Sequence, residues 1–376
     1  MRLSSRVADL QPSPIREILA VISRPGMISF AGGLPAPETF AQLDTNIPRD
    51  VLQYGASEGE TALREKIAVE LCKLGLQCDM DQVLILSGSQ QGIDLVAKLF
   101  IDSGTPVAVE SPTYLAALQV FRFFGAAMRP FDVDALNKDL FAQQPPALAY
   151  AIPTFQNPTG HCYSNTQRQL LADACDTAQV PLFEDDPYRD LFYETCDRKP
   201  VCALLKRSPW IYQSSFSKSF APGIRLGFLA ASKDLITPLV RLKQAADLHS
   251  NRISQWWALQ FLESKDRFSQ LQQLAATYKT KRDRFDSLLH KYFDDLATWA
   301  APCGGLFFWL TLKHKIDTRQ LLPLAIEQGV AFMPGEPFYP EATDASGTLR
   351  LNFSHAGMDQ METGLAILSK LIRSTL

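Results

Sequence analysis

The segment WIYQSSFSKSFAPGIRLGFLAA, residues 210–231, contains two apolar runs separated by a polar stretch that carries a single lysine, Lys218. The runs at 210–213 and 226–231 have the length and composition of buried strands. On this segment alone, Lys218 is most simply a solvated loop residue. The rest of the chain decides whether it belongs to a site.

Similar short apolar runs occur earlier in the chain, and helical patterns separate several of them. One helix is predicted to begin at Ser164, where a capping box with Gln167 is possible. Near-continuous apolar strands that alternate with helices predict an α/β fold with a mostly parallel sheet flanked by helices. The predicted strands are 82–86, 105–110, 147–152, 180–184, 210–213 and 226–231.

The pattern changes after about residue 233. Residues 234–293 are predicted to be helical, with the charged cluster KTKRDR (279–284) on the solvated face. Strand-like runs return from residue 304 and predict a smaller α+β C-terminal domain. We therefore divide the chain into an N-terminal segment (1–40) that packs on the small domain and the substrate mouth, a large domain (41–250) and a small domain (251–376).

Composition narrows the class of protein. A chain of 376 residues with 46% hydrophobic and 20% charged residues suits two globular domains, and a net charge of −3 argues against a nucleic-acid partner. We expect no signal peptide and no membrane span. Seven cysteines without a C-x-x-C pair predict reduced thiols and a cytoplasmic location. Five scattered histidines give no zinc-ligand spacing, so no metal site is predicted.

Polar residues follow each predicted strand, where ligands collect in open parallel sheets. Taken singly, these residues have ordinary structural explanations: a helix cap, a turn, loop carboxylates and packing tyrosines. Taken together, a phosphate cradle, an amine, a carboxylate and two phenols describe the cofactor pyridoxal 5′-phosphate (PLP). The groups are Ser89 and Gln90, Tyr114, Asn157, Asp185 and Tyr188, and Ser215, Ser217, Lys218 and Arg225.

Over nearly its whole length the sequence resembles the PLP-dependent fold-type I aminotransferases of class I/II. Within them it is most similar to the 2-aminoadipate and kynurenine aminotransferases and to the effector domains of MocR-type regulators. The segments that carry this resemblance occur in order along the chain. They are PSPIREIL (12–19), ISFAGGLPAPETF (28–40), LQYG (52–55), SGSQQGID (87–94), ESPTY (110–114), NPTG (157–160), EDDPY (184–188), SSFSKSFAPGIRLGF (214–228), GGLFFWL (304–310), PGEPF (334–338) and LRLNFS (349–354).

The resemblance implies a role for each cofactor residue. Lys218 would form the Schiff base and move the substrate proton, and Asp185 would pair with the pyridine nitrogen, with Asp186 a structural neighbour. Tyr188 and Asn157 would bond the phenolic oxygen of the cofactor. The remaining cofactor contacts would be ring stacking by Tyr114, phosphate binding by Ser89, Gln90, Ser215, Ser217 and Arg225, and a phosphate contact from Tyr54 of a partner subunit.

The resemblance also implies substrate contacts. Arg350 would clamp the α-carboxylate, because a planar guanidinium matches a carboxylate with two parallel hydrogen bonds. Gly33, with Gly32 and Leu34, would line the substrate mouth. Arg16 either reads an acidic substrate side chain or is a solvent-facing helix charge, and both interpretations stay open.

The resemblance implies a homodimeric aminotransferase that moves an amino group from an L-amino acid to a 2-oxo acid, with 2-oxoglutarate and glutamate as one pair. Two alternatives remain open at this stage. One is a regulatory PLP-binding domain without turnover, and the other is a PLP-dependent β-lyase or decarboxylase on the same scaffold. The amino donor is left undetermined among aromatic, branched-chain, 2-aminoadipate and acidic substrates.

Overall fold

A computed structural model describes residues 4–8, 25–341 and 346–376. Arg16 and most of the predicted N-terminal segment therefore lie outside the described residues. Apart from a helical turn at Ser5–Ala8 and short 3₁₀ turns, the helices of this part of the chain are α1 (Thr61–Lys73), α2 (Ser89–Phe100), α3 (Leu115–Phe123), α4 (Asn165–Ala178), α5 (Lys233–Asp247), α6 (Arg252–Glu263), α7 (Arg267–Phe293), α8 (Thr318–Glu327) and α9 (Met358–Ser374).

The strands confirm the predicted α/β class. In the described residues, seven strands form one sheet in the order β2-β8-β7-β6-β5-β3-β4. Strand β8 runs antiparallel to both of its neighbours, and the other adjacent pairs are parallel. The strands of this sheet are β2 (Val83–Leu86), β3 (Pro106–Glu110), β4 (Ala127–Phe131), β5 (Leu148–Ala151), β6 (Leu182–Asp185), β7 (Trp210–Ser215) and β8 (Gly227–Ala231).

Helices cover both faces of this sheet, which explains why a strand such as β2 is apolar at every position. Along β2, Val83 and Ile85 pack into the core shared with α1, α4 and α6. Leu84 and Leu86 point the other way, into the core shared with α2, α3 and α5. Because consecutive strand residues face opposite sides, a strand buried on both sides needs apolar residues at every position.

Two smaller sheets lie beyond this one. Strands β12-β13-β10-β9 form an antiparallel sheet that packs on α7 and α9, and β1 pairs in parallel with β11. This arrangement agrees with the α+β pattern predicted after residue 304, whereas the domain limits at 40 and 250 stay predictions. The strands are β1 (Ile28–Ser29), β9 (Ala297–Thr298), β10 (Phe307–Leu312), β11 (Val330–Ala331), β12 (Met333–Pro334) and β13 (Thr348–Asn352).

The helical stretch 234–293 is helical as predicted, but it is divided among α5, α6 and α7. The capping box predicted at Ser164 is confirmed, since its hydroxyl accepts from the backbone N–H of Gln167. The prediction for the charged cluster 279–284 is wrong in part, because Lys281 and Arg282 are buried. Lys281 Nζ donates to the Ser354 carbonyl at 2.7 Å, and Arg282 Nη1 donates to the Pro302 carbonyl at 2.6 Å.

Candidate active site

A cavity of about 480 Å³ opens where the carboxyl ends of the parallel strands approach β12 and β13. Its volume lies in the range typical of small-molecule sites. Residues from distant parts of the sequence line it, as the strand-end pattern predicts. The predicted site residues that it brings together are Gly33, Ser89, Gln90, Tyr114, Asn157, Asp185, Tyr188, Ser215, Ser217, Lys218, Arg225 and Arg350, with Gly32 and Leu34 beside them.

Lys218 follows the end of β7 and is half-buried. Its Nζ donates to the Gly33 carbonyl at 2.7 Å. Burial, together with the positive charges of Arg350 and Arg225, lowers the pKa of Lys218 to about 8. A substantial fraction of this amine is therefore uncharged just above neutral pH, as a nucleophile or a proton acceptor requires.

Asp185 ends β6, and its carboxylate is buried. It accepts hydrogen bonds from Tyr150 Oη at 3.0 Å and from Gln213 Nε2 at 3.1 Å, and it forms no salt bridge within the described residues. Burial raises the pKa of Asp185 to about 6, despite these hydrogen bonds. A buried carboxylate without a cationic partner is costly, and a ligand with a protonated nitrogen would relieve that cost.

The neighbouring Asp186 has a different environment. It is fully buried, and its Oδ2 accepts from Tyr212 Oη at 2.9 Å and pairs with Arg189 Nη1 at 2.7 Å. It does not line the cavity. Asp186 is thus already paired within the protein, as expected for the structural member of the two aspartates.

The start of α2 and the loop after β7 form a concave polar surface. Gly88 precedes α2 with a φ of +86°, and a Cβ added there would lie 2.5 Å from Arg225 Nη2. A Cβ on Gly227 would lie 2.9 Å from the backbone nitrogen of Ser89. Glycine at position 88 therefore lets the Arg225 guanidinium approach the start of α2, and glycine at position 227 lets β8 lie close to it. This arrangement favours a bound anion.

Arg350, on β13, is buried on the opposite wall of the cavity. Nη1 donates to Asn157 Oδ1 at 2.7 Å, Nη2 donates to the Ala31 carbonyl at 2.6 Å, and the guanidinium carbon lies 4.2 Å from the centre of the Phe307 ring. Among the described residues, its buried Nε has no hydrogen-bond partner. Burial lowers the pKa of Arg350 to about 10. These contacts orient the guanidinium, and its lack of an anionic partner leaves it suited to a carboxylate ligand.

The Asn157 loop is held by a second buried carboxylate. Glu110, at the end of β3, accepts from the backbone N–H of Ile152 at 2.8 Å and from Tyr163 Oη at 2.6 Å. Burial raises the pKa of Glu110 to about 7. Asn157 Nδ2 in turn lies 3.5 Å from Tyr188 Oη. The ends of β3 and β5 and the Asn157 loop are therefore tied together below the cavity.

One described site residue of the prediction, Tyr54, does not line this cavity. Tyr54 is 77% exposed and packs edge-on against His249, with ring centres 5.7 Å apart. Arg16 lies outside the described residues. Tyr114 does line the cavity, with its Oη 3.5 Å from Gln90 Oε1, and burial raises its pKa to about 12.

Sequence reasoning missed several contributors. Tyr150 and Gln213 position Asp185 from the middle of β5 and β7, and Gln119 and Met333 line the cavity wall. The signal for the first two was a polar group inside an otherwise apolar strand. Gln119 and Met333 belong to no recognisable motif.

Within the described residues, no helix has both the length and the apolar character needed to cross a bilayer. The sequence model of the family "Aminotransferase class I and II" matches residues 30–368.

Individual relatives agree with this family match. An aromatic-amino-acid aminotransferase of Thermococcus litoralis is 34% identical over 98% of this chain and 94% of its own. The structure of the α-aminoadipate aminotransferase of Thermus thermophilus, complexed with N-(5′-phosphopyridoxyl)-L-leucine, superposes with a TM-score of 0.88 at 30% identity, over 99% and 97% of the two chains. The kynurenine aminotransferase of Pyrococcus horikoshii, in complex with PMP, gives 0.90 at 33% identity, over 100% and 97%.

Proposed function

This chain belongs to the class I and II aminotransferases, and we propose that it uses PLP to transfer an amino group from an L-amino acid to a 2-oxo acid. One observation carries the proposal. A single cavity combines an amine of lowered pKa, a buried carboxylate without a cationic partner and a polar surface suited to an anion.

These three groups fit the cofactor one by one. The amine of Lys218 suits an aldehyde, the carboxylate of Asp185 suits a protonated ring nitrogen, and the start of α2 with Arg225 suits a phosphate. Ser89, Gln90, Ser215 and Ser217 would add hydrogen bonds to that phosphate, while Tyr114, Asn157 and Tyr188 would contact the ring. When bound, PLP supplies an electron sink for the bonds at the substrate α-carbon.

The protein supplies proton transfer. Lys218 lines the cavity with a pKa near the physiological range. Its amine can therefore take the proton from Cα of the amino acid and deliver a proton to C4′ of the cofactor. Asp185 would keep the ring nitrogen protonated, because the positive charge of a protonated nitrogen stabilises a buried carboxylate. The same two residues serve both half-reactions.

Arg350 would bind the α-carboxylate of the substrate. Two of its nitrogens are already fixed by Asn157 and Ala31, so the guanidinium need not be ordered when substrate arrives. Every L-amino acid and 2-oxo acid carries this carboxylate, so one residue can serve donor and acceptor. We propose 2-oxoglutarate and glutamate as one substrate pair, with Gly33 at the mouth of the cavity.

We also propose a cytoplasmic homodimer. Leu52, Tyr54 and Leu248 are large side chains that are 67%, 77% and 45% exposed, and a partner subunit would cover them. In a dimer, Tyr54 would reach the phosphate of the partner subunit. Light scattering should give twice the mass of the chain, and Tyr54→Phe should weaken PLP binding in that dimer. A wild-type protein with the mass of a monomer, or a Tyr54→Phe variant that binds PLP as tightly as the wild type, would contradict this arrangement.

Paired product formation tests the proposed reaction. The purified protein, loaded with PLP, is incubated with a panel of L-amino acids and 2-oxoglutarate, and both products are quantified. Glutamate and the new 2-oxo acid should appear in equal amounts, and Lys218→Ala should lose the activity. Ammonia with pyruvate would indicate a lyase, carbon dioxide would indicate a decarboxylase, and no turnover with any donor would contradict an enzyme.

A further inference from the structure

Three cysteines that are far apart in the sequence meet at one point of the fold, outside the candidate active site. The Sγ atoms of Cys162, Cys196 and Cys303 all lie within 4.8 Å of one another. Each side chain is partly exposed, so solvent reaches the cluster. The sequence predicted no metal site, because its five histidines show no zinc-ligand spacing, and it predicted that these cysteines are reduced thiols.

The backbone holds these thiols together. Cys162 follows the Asn157 loop, Cys196 lies in the segment after β6, and Cys303 directly precedes the turn into β10. Cys162 Sγ donates to the Asp197 carbonyl at 3.1 Å, and the Cys303 carbonyl accepts from the Tyr193 backbone N–H at 2.8 Å. The convergence is therefore built from three fixed segments and does not depend on side-chain rotamers alone.

A buried positive charge lies beside the cluster. Arg168 is fully buried and makes no salt bridge within the described residues. Its Nη2 donates to the carbonyls of Pro153 at 2.9 Å and Asp197 at 2.8 Å, and lies 3.6 Å from Cys162 Sγ. Buried charges are normally paired, and in this place an anionic sulfur site would pair the guanidinium.

We propose that Cys162, Cys196 and Cys303 bind a divalent thiophilic cation of the zinc type through three thiolates. Zinc–sulfur bonds of about 2.3 Å around a tetrahedral ion place the sulfurs about 3.8 Å apart, within the observed 4.8 Å limit. Three thiolates and a divalent ion leave one net negative charge, which the single guanidinium of Arg168 balances. Water takes the fourth position, as in zinc sites with three protein ligands.

Cadmium is the probe, because its thiolate complexes absorb in the ultraviolet and it shares the ligand preference of zinc. The PLP-loaded protein is reduced, freed of metal with a chelator and titrated with Cd²⁺. One equivalent per chain should bind with a thiolate charge-transfer band. Cys162→Ser and Cys303→Ser should weaken binding by at least about 100-fold, the upper end of the loss seen for outer-shell partners.

Cys72→Ser is the control outside the cluster, because Cys72 is also partly exposed and its Sγ donates to the Cys78 carbonyl at 3.3 Å. It should bind Cd²⁺ like the wild type. Equal affinity in Cys303→Ser and wild type, or titration without a charge-transfer band, would overturn the site. A second measurement needs no variant: saturating Cd²⁺ should protect Cys162, Cys196 and Cys303 from iodoacetamide and leave Cys72 reactive. Equal alkylation of all four with and without Cd²⁺ would contradict the proposal.

Discussion

Replacing Asp185 by asparagine should make the cofactor-free protein more stable while destroying its activity. The buried carboxylate has a pKa of about 6, against 3.8 for an exposed aspartate. Because this pKa is raised, the folded state binds an extra proton between the two values, and the free energy of unfolding falls as pH rises through that range. Above pH 6 the cost is complete, at about 3 kcal/mol from 1.36 kcal/mol per pKa unit.

Asparagine removes this cost without changing the shape of the side chain. Gln213 Oε1 has no hydrogen-bond partner in the part of the chain that the structure describes, so an amide flip of Gln213 would give the new Nδ2 an acceptor. We therefore expect Asp185→Asn to raise the free energy of unfolding by up to about 3 kcal/mol at pH 7.5, and by about half as much at pH 5. The loaded variant should lose amino transfer by at least about 100-fold, or about 3 kcal/mol of transition-state stabilisation.

Urea denaturation of the cofactor-free proteins at the two pH values measures the change in unfolding free energy. Asp186→Asn is the matched control, and it should lower the free energy of unfolding instead of raising it. Asp186 forms a buried ion pair with Arg189, and breaking such a pair should cost about 3–5 kcal/mol. If Asp185→Asn were destabilising at pH 7.5, or if its effect did not change with pH, the environment assigned to Asp185 would be wrong.

Three further predictions concern the surroundings of Asp185 and two of the basic residues of the cavity, Lys218 and Arg350. Gly92→Ala should lower the free energy of unfolding, measured by urea denaturation, by about 1–3 kcal/mol, because its Cβ would lie 1.8 Å from Gln213 Oε1. The control is Gly223→Ala, whose Cβ would meet nothing within 4 Å and which should leave the stability unchanged. Equal effects of the two substitutions would contradict the packing around Gly92. Arg350→Lys should raise the KM for the amino donor about 10- to 100-fold, since charged hydrogen bonds contribute about 1.5–3 kcal/mol; an unchanged KM in steady-state kinetics would remove Arg350 from the substrate site. The rate at which cofactor-free protein takes up PLP, followed by absorbance, should rise with pH up to about 8 and then level off as Lys218 loses its proton. In Arg350→Gln that midpoint should move upward, and a wild-type midpoint near 10.5 would contradict the lowered pKa.

The sheet was largely predictable because its strands are buried on both faces. VLIL in β2 and LAYA in β5 have no polar side to obscure the signal, apart from one tyrosine hydroxyl. The reversed direction of β8 could not be predicted, since its apolar run resembles those of the parallel strands. Burial of Lys281 and Arg282 was also beyond reach, because their partners Ser354 and Pro302 are distant in sequence.

The residues that line the cavity could be predicted because a parallel sheet brings its strand ends to one edge. The residues that hold those side chains in place could not be predicted. A polar residue within a strand, such as Gln213, is easily interpreted as facing the outside, and only the fold shows that it bonds Asp185. The three-cysteine cluster gave no sequence signal because convergence depends on tertiary packing.

The proposed function depends on a reaction of Lys218 with PLP in the cavity. The wild-type protein is incubated with PLP, reduced with borohydride, digested and mapped by mass spectrometry. We expect one phosphopyridoxyl group per chain, on the peptide that contains Lys218, and none in Lys218→Ala. A label on other lysines with Lys218 unmodified would contradict it.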